Sequence, residues 1–531
     1  MKFIKIILLL IVIISTLFEF TACSFVLTDY IPELKELINN QIDIDELTDN
    51  ETTEESTDLK YINFTIGRFI HEKLDPYTSQ SRTNHEIMKL CYDPLIYIDQ
   101  NFNAVPVLAN NYEINNNSLT FYIKNDVTFY DNTSVTAYDC EYSFRQAKKD
   151  ASIYKNNFKW INSFEVVSEK IFRIEFNNNS PYNINLMNIP IIKNNSAENN
   201  FIPIGAGRYY LSQNDTGPVL KANKGCAYPG EYLIDEIKIL DIQDTESLTY
   251  NFNYGYIHAM YADLSEGNSQ FRGNIELIDF GTNSLVFIGV NRSIDYLKET
   301  DTVKGINYAI NRTELQRDIL ADHGKIVWHP LNPFWSVISE VDINTDIYST
   351  EAAHQYFQNA NISLRDTTRI YKNNPIVINI LVNRENSIKI NTANAVANDL
   401  RKIGFSVNVN ILKWDEYIAD IEGKNYELYI GEILLPANMD FTTIFKQNGA
   451  ILSEYDYSEI LEDFTSLYKN EISVIDFITS FQTHIPFIPL YYNANAIAIN
   501  RRIINNLDNV NNFLPSDDNI YNGIENWKVS N

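Results

Sequence analysis

Apolar and polar residues alternate over two short neighbouring stretches of the chain, and this pattern predicts two strands. Residues 119–123 place an apolar side chain at every second position, as a half-buried strand does, and residues 127–129 begin the same alternation again. Asp131 and Asn132 follow them. They predict a tight turn, because Asn adopts positive φ almost as readily as glycine.

A helix is predicted directly after that turn. Thr136 and Asp139 have the spacing of a capping box, in which a hydroxyl and a carboxylate satisfy free N–H groups at the start of a helix. Four apolar residues then recur at helical spacing and define one face, namely Ala137, Cys140, Phe144 and Ala147. We therefore predict a β-β-α unit over residues 119–147 with a structural role.

Later stretches carry similar patterns. Residues 171–176 alternate as a strand, and residues 376–382 form an apolar run typical of another. Residues 393–400 mark one face of a helix that Gly404 ends, and residues 405–411 alternate as the next strand. Strand, helix and strand at this spacing predict a right-handed parallel crossover.

The first residues indicate export. Lys2 and Lys5 precede an apolar run over residues 6–18, which is too short to cross a bilayer comfortably. Thr21 and Ala22 then lead to Cys23 in a sequence similar to a lipobox. We expect a lipoprotein signal peptide over residues 1–22 and a lipid on Cys23; the alternative is an uncleaved anchor helix. Residues 23–60 are strongly acidic and predict a flexible tether.

Composition and the absence of known motifs narrow the range of possible functions. Hydrophobic residues make up 45% of the 531 residues, enough for a globular protein, and the roughly 470 residues after the tether exceed one ordinary core, so we expect two or three lobes. The net charge of −27 argues against binding to nucleic acid. Besides Cys23, the cysteines are scattered without a CxxC pair, so we expect neither a disulfide framework nor a cysteine metal site. The sequence lacks the common hydrolase, zinc-protease and nucleotide-loop motifs, so we expect no enzyme, no cofactor and no metal.

The β-β-α unit carries a family resemblance. LTFYIKNDVTFYDNTSVTAYDCEYSF (119–144) resembles the signature of family 5 extracytoplasmic solute-binding proteins, the peptide-binding components of bacterial ABC importers. The family's glycine in the turn is Asn132 here, which the same backbone geometry permits. Further segments resemble family motifs in the same order, namely LDP (74–76), YDPLI (92–96), VPVLA (105–109), IGAGRY (204–209), SLVFIGVN (284–291), TVKGINYAINR (302–312) and IPFIPLYY (485–492).

The resemblance, which spans residues 60 to 525, implies the family's fold. That fold is α/β, two-lobed and periplasmic-binding-protein-like (class II, cluster C type), with an extra β-rich satellite domain. Its lobes enclose a ligand and close by hinge motion. The implied domains are lobe I (61–110, 205–281 and 490–531), the satellite domain (111–204) and lobe II (282–489).

The resemblance also implies a function. The chain would be a substrate-binding lipoprotein that captures a peptide or peptide-like solute and delivers it to the permease and ATPase subunits of an ABC importer. We expect a monomer held by its lipid anchor at the extracytoplasmic face of a bacterial membrane. Two alternatives stay open: a binding protein for a non-peptide solute, and a non-transporting surface receptor or adhesion module that kept the fold.

The implied ligand site departs from the family pattern at one position. Peptide binders of the family use a "GW.aDy.dP" loop whose carboxylate holds the ligand's amine, because a buried charge needs a partner. In the matching stretch, residues 431–440, Glu432 takes the Trp position and Leu435 the Asp position. Glu432 or Asp440 could substitute for the missing carboxylate, although neither has the same offset.

Other candidate ligand contacts also come from the resemblance. Gln80, Ser81 and Arg82 fall on the loop that usually contacts ligand backbone, and Arg82 could pair with a ligand carboxylate. Trp414 matches the family's "eW..y" motif and could line a side-chain pocket, with packing in the core as the competing interpretation. Tyr429 and Tyr491 are similar candidates.

Overall fold

The computed structural model describes residues 64–197, 202–215, 217–228, 230, 232–264, 271–339, 341, 347–445, 455–505 and 514–529. These residues belong to one compact unit, which begins at Tyr61. The predicted signal peptide (1–22), the lipidation site at Cys23 and the tether (23–60) lie outside the described residues. Within the described ranges, no helix is both long enough and apolar enough to span a membrane.

The strands form several sheets, of which three are large. The first sheet has the order Thr65–Phe69, Glu236–Ile242, Gly217–Ala222, Tyr209–Asn214. The central sheet has the order Ala259–Ala262, Ile488–Asn500, Ile275–Val290, Leu428–Leu434, Val377–Asn383, Ser406–Leu412, with Lys325–Ile326 beside Ile488–Asn500. The satellite sheet has the order Ala109–Asn115, Ser118–Ile123, Ile171–Phe176, Ile161–Ser168. Smaller sheets join Ser363–Arg365, Thr368–Tyr371 and Asn374–Pro375; Ile96–Ile98 and Ala104–Pro106; and Ile503–Asn505 and Trp527–Val529.

Helices connect and cover these sheets. The α-helices are Arg82–Cys91, Ala137–Ala147, Thr245–Asn253, Asp295–Lys298, Thr300–Ala309, Arg312–Glu314, Ser336–Ser339, Thr350–Asn359, Ser387–Lys402, Trp414–Glu422, Ser458–Tyr468 and Val474–His484. A π-helical turn at Leu315–Ile319 comes directly after the helix Arg312–Glu314. Turns of 3-10 helix lie at Lys155–Lys159, Pro181–Leu186, Phe441–Thr443 and Ile524–Asn526.

The first strand and the helix of the predicted β-β-α unit are confirmed. The strand is Ser118–Ile123, in the satellite sheet, and the four predicted apolar residues of the helix Ala137–Ala147 are fully buried. Asp139 Oδ2 accepts a hydrogen bond of 2.7 Å from the backbone N–H of Thr136, as the capping box requires, and a second one of 2.7 Å from Thr136 Oγ1. In the turn, Asn132 has a φ of 65°.

The predicted strand over residues 127–129 is wrong. Val127 and Phe129 are buried, but their segment forms an isolated bridge from Thr128 to Ser134 rather than a ladder. The chain reverses at 131–132 and enters the helix at Ala137, so there is no room for further pairs. Burial of the two apolar side chains produced the alternation without a strand.

The predicted parallel crossover is confirmed. Val377–Asn383 pairs in parallel with Ser406–Leu412, and the helix Ser387–Lys402 connects them. Gly404 follows the last turn of that helix with a φ of 102°. The buried face of the helix includes Val396 and Leu400, each fully buried, and such side chains contribute about 1.5–3 kcal/mol apiece.

Two long antiparallel strands run through the centre of the fold. Ile275–Val290 pairs with Ile488–Asn500 on one side and with Leu428–Leu434 on the other. The pairing with Ile488–Asn500 shifts register between Gly281 and Leu285. This irregularity falls at the predicted boundary between lobe I, which ends at 281, and lobe II; the domain boundaries themselves stay predictions.

Residues 514–529 pack against a segment far away in sequence, between residues 86 and 98. Ser516 Oγ donates a hydrogen bond of 2.8 Å to the carbonyl of Ile98, whose own N–H donates to Asp518 Oδ2 at 2.8 Å. The N–H of Ile520 donates to Glu86 Oε2 at 3.2 Å, across 434 positions of sequence. The resemblance places both segments in the same predicted lobe, since lobe I includes residues 61–110 and 490–531.

Candidate functional site

The candidate site lies at one edge of the central sheet. Leu428–Leu434, Val377–Asn383 and Ser406–Leu412 are mutually parallel neighbours, so their carboxyl ends meet at the same edge. Ligands of open α/β sheets bind outside the carboxyl ends of the strands. A pocket of about 520 Å³ opens there, lined by Ser284, Phe287, Asn383, Lys389, Trp414, Tyr417, Ile418, Ile421, Tyr429, Gly431, Glu432 and Leu434.

One wall of the pocket is aromatic. Trp414 is the first residue of its helix and is 53% exposed, whereas Tyr417 and Tyr429 are almost fully buried. The Tyr429 ring lies 5.9 Å from the ring of Phe287 and 6.4 Å from that of Tyr417, both in edge-to-face geometry. An exposed indole over a buried aromatic layer gives an apolar surface that a ligand can cover.

A glycine makes room for this wall. A Cβ atom at Gly289 would lie 1.9 Å from Cε1 of Tyr429, well inside van der Waals contact. Any larger residue at position 289 would therefore displace the tyrosine ring from its place beside the pocket.

The opposite end of the pocket carries an ion pair. Lys389 Nζ lies 2.9 Å from Glu432 Oε2, and the two side chains are 10% and 28% exposed. The other carboxylate oxygen, Oε1, accepts hydrogen bonds from Ser284 Oγ at 2.5 Å and from Asn493 Nδ2 at 2.9 Å. Partial burial raises the pKa of Glu432, but the charge of Lys389 and these hydrogen bonds outweigh it, so that the pKa lies below its usual range.

Asn383 adds an unsatisfied acceptor to the pocket. It is the last residue of its strand and is 5% exposed, and its Oδ1 has no hydrogen-bond partner among the described residues. Buried polar atoms are normally paired, so an unpaired one beside a pocket indicates a group that a ligand can satisfy.

Of the sequence-predicted site residues, the pocket brings together Trp414, Tyr429 and Glu432. Leu435 and Tyr491 lie elsewhere, in the core. Leu435 is 3% exposed and its N–H donates to the carbonyl of Asn283, whereas Leu434 before it is 72% exposed at the pocket. The strand ends between the two leucines, and the chain then turns inward.

Tyr491 is fully buried within the central sheet. Its hydroxyl lies 3.1 Å from Thr392 Oγ1 on the helix that covers the sheet. Burial raises the pKa of this tyrosine. Its side chain therefore holds helix and sheet together, and it is not among the residues that line the pocket.

Gln80, Ser81 and Arg82 form a separate group away from the pocket lining. Ser81 caps the helix Arg82–Cys91, and both Gln80 and Ser81 donate backbone hydrogen bonds to the carboxylate of Glu72. The guanidinium of Arg82 is already paired. Its Nε lies 2.7 Å from Glu86 and its Nη1 lies 3.3 Å from Asp517. A ligand carboxylate at Arg82 would have to compete with both.

Sequence reasoning missed Lys389, Asn383, Ser284 and Tyr417. Asn383 directly follows a strand that was predicted, and Lys389 lies in the first turn of the helix after it, so the rule on carboxyl ends of parallel strands was the signal that would have found them. Ser284 and Tyr417 carried no such signal, because a serine in a strand and a tyrosine in a Tyr-rich chain are both ordinary. Within the described part of the chain, no group of three or more His, Cys, Asp or Glu could hold a metal ion.

The sequence is similar to a known protein family and to a curated relative. The model of the bacterial extracellular solute-binding proteins, family 5 Middle, matches residues 103–448. The oligopeptide-binding protein AppA of Bacillus subtilis is 21% identical over 295 residues, which cover 54% of this chain and 51% of that protein. The match thus spans about half the length of this curated relative.

Solved structures show the same fold. AppA of Bacillus subtilis in complex with a nonapeptide matches with a TM-score of 0.57 and 17% identity, over 88% of this chain and 99% of that chain. The unliganded open form of MppA, a periplasmic murein tripeptide-binding protein, matches with a TM-score of 0.70 and 16% identity, over 84% and 94%. NikZ of Campylobacter jejuni in complex with Ni(L-His) matches with a TM-score of 0.61 and 18% identity, over 88% and 99%. The expected α/β binding-protein fold is therefore confirmed.

Proposed function

Because the chain belongs to the bacterial extracellular solute-binding proteins of family 5, we propose that it captures a peptide or peptide-like solute and delivers it to the permease of an ABC importer. The observation that carries the proposal is the pocket at the carboxyl edge of the central sheet, with its aromatic wall and its Lys389–Glu432 pair. Two relatives with this fold are described as binders of oligopeptide and murein tripeptide. Capture is reversible and non-covalent, and rests on enclosure, hydrogen bonds and burial of apolar surface.

The two long central strands support a hinge. The register shift between Gly281 and Leu285 weakens the ladder with Ile488–Asn500 at the point where the proposed lobes meet. Rotation at such a point would bring lobe I toward the pocket on lobe II. Gln80, Ser81 and Arg82, on the proposed lobe I, are then the ligand contacts expected from that side.

Lipid anchoring at Cys23 belongs to the same proposal. A diacylglyceryl group would hold the protein at the membrane, and the acidic tether over residues 23–60 would keep the binding domain away from the surface. Cys23→Ser is expected to release the protein from the membrane fraction and to abolish incorporation of labelled palmitate. Retention of the variant in the membrane would instead favour the uncleaved anchor helix.

Ligand binding is tested on purified protein that has been unfolded and refolded to remove any bound solute. A mixed peptide pool should raise the thermal midpoint, since a ligand of the folded state alone stabilises it by about 2.7 kcal/mol at a hundredfold excess over Kd. If peptides do not raise the thermal midpoint, and native mass spectrometry of the protein before stripping shows a small adduct, then a non-peptide solute is the favoured ligand. If there is neither a rise in the thermal midpoint nor an adduct, a receptor that does not transport is favoured.

The non-peptide solute is a specific second candidate. Leu435 stands where the resemblance expects the amine-binding carboxylate, and it is buried in the core. The site therefore lacks the group that the family's peptide binders use to hold an amino terminus.

A further inference from the structure

The carboxylate of Glu432 has little capacity left for a ligand. It accepts from Lys389 Nζ at 2.9 Å, from Ser284 Oγ at 2.5 Å and from Asn493 Nδ2 at 2.9 Å. An ionised carboxylate offers about four acceptor positions, so three donors nearly fill it. A ligand ammonium would be confined to the one position left, and if it displaced Lys389 it would leave a largely buried cation without its partner.

The pocket as a whole also gives an ammonium no net attraction. Among the described lining residues, Lys389 and Glu432 are the two that carry charge, and their charges cancel. The net charge of −27 over the whole chain attracts cations from a distance, but salt screens that long-range term.

What remains unused at the polar end is one donor group and one acceptor. The ammonium of Lys389 has three N–H donors, and within the described residues Glu432 takes one of them. Asn383 Oδ1 is an acceptor without a partner among these residues. A carbonyl oxygen that accepts and an N–H that donates are the two halves of an uncharged amide.

We propose that this pocket recognises an uncharged amide that carries an aromatic or branched apolar side chain, and that it does not require a free amino terminus. Lys389 and Asn383 bind the amide, and Glu432 is the positioning residue that holds the ammonium of Lys389 in place. The apolar side chain covers Trp414 and packs against the aromatic wall. This inference rests on the proposed function, since it names the chemical class of ligand for the same site.

The test compares two pools of pentapeptides that are identical except for acetylation of the amino terminus. Each pool has Phe, Tyr, Leu or Ile at the central position, and binding to the stripped full-length protein is measured by calorimetry in 0.5 M NaCl. We expect the two dissociation constants to agree within about threefold. Tighter binding of the free-amine pool by about tenfold or more would overturn the inference.

A result with no binding of either pool also overturns the inference, but it leaves the proposed function to a separate measurement. Native mass spectrometry of the unstripped protein then decides whether any solute is carried. An adduct would support the solute-binding function but with a different class of ligand. The absence of an adduct would contradict both the proposed function and this inference.

Two variants separate positioning from direct contact with an amine. Glu432→Gln keeps the size of the side chain, and Lys389→Met keeps most of the length of the stem. We expect each variant to weaken both pools to the same extent, by about fivefold or more, with unchanged circular dichroism. A selective loss of the free-amine pool in Glu432→Gln would instead identify an amine-binding carboxylate and would overturn the inference.

Discussion

The indole N–H of Trp160 donates a hydrogen bond of 2.7 Å to the carboxylate of Asp440, which lies 280 residues further along the chain. Trp160 directly precedes a strand of the satellite sheet, and Asp440 follows the strand Leu428–Leu434 of the central sheet. The second oxygen of Asp440 accepts from the N–H of Thr442 at 2.9 Å. Asp440, considered from sequence as a substitute amine partner, is thus already engaged in joining two parts of the fold.

Replacement of Trp160 by Phe should therefore destabilise the protein. The carboxylate of Asp440 is 5% exposed, and loss of a donor to such a group costs about 1–3 kcal/mol. Urea denaturation measures the change in the free energy of unfolding. Trp414→Phe is the matched control, because Trp414 is 53% exposed, and its effect should stay within about 0.5 kcal/mol. Equal effects of the two variants would show that the Trp160–Asp440 bond contributes no stability.

Gly289→Ala should disturb the aromatic wall. The added methyl group would meet the Tyr429 ring at 1.9 Å, and overpacking of this kind costs about 1–3 kcal/mol. Shortening the tyrosine removes the clash, so Gly289→Ala combined with Tyr429→Leu should cost less than the sum of the two single changes. Urea denaturation of all four proteins measures this coupling. Additive costs would mean that the ring and the glycine do not constrain each other.

Asp93 should make stability depend on pH. Burial raises its pKa to about 7, although Arg208 lowers it in part. A carboxyl with a raised folded-state pKa binds a proton more tightly in the folded state. Its contribution to stability is therefore complete below about pH 4 and is lost as the pH rises to about 7, by at most about 1.4 kcal/mol per pH unit.

Asp93→Asn removes this titration. The free energy of unfolding of the variant, minus that of the unchanged protein, should rise between pH 4 and pH 7 and then level off. Asp126→Asn, at an exposed carboxylate, is the control for the change from carboxylate to amide. A flat difference curve for Asp93→Asn would contradict the buried-carboxyl interpretation.

Trp414→Ala should weaken ligand binding without weakening the fold. The indole is half-exposed at the rim of the pocket, so its removal costs little stability but uncovers apolar surface that a ligand would bury. We expect an affinity for the peptide pool lower by about fivefold or more, measured by calorimetry. Unchanged affinity would place the ligand elsewhere on the protein.

The sequence predicted what depends on local pattern. The capping box at Thr136 and Asp139 and the crossover that ends at Gly404 follow from neighbouring residues, and both are present. The false strand at 127–129 arose because alternation reports burial, and two buried side chains in a tight turn give the same signal as a strand. The family resemblance supplied the fold, since no local pattern links segments hundreds of residues apart.

The site was less predictable for a related reason. Trp414 and Glu432 were found by position in family motifs, but their partners Lys389 and Asn383 come from other segments, and only the sheet brings them together. Leu435 illustrates the limit of alignment: the strand ends one residue earlier, so Leu434 reaches the pocket and Leu435 turns into the core. Whether Gln80, Ser81 and Arg82 contact a ligand depends on the proposed closure of the lobes, which sequence position does not determine.

The packing of residues 514–529 against residues 82–98 fixes an order of events during biosynthesis. Buried Glu86 receives the N–H of Ile520, and buried Arg208 lies 3.0 Å from Glu525, so both residues gain a polar partner from a segment made more than 300 residues later. Glu86 also pairs with Arg82 and Lys89 of its own helix, whereas Arg208 lacks the Glu525 carboxylate until the late segment is made, and the apolar surface around Arg208 stays uncovered for that time. Contacts this distant in sequence also slow folding. The packing around Glu86 and Arg208 is therefore completed only after residues 514–529 have been synthesised.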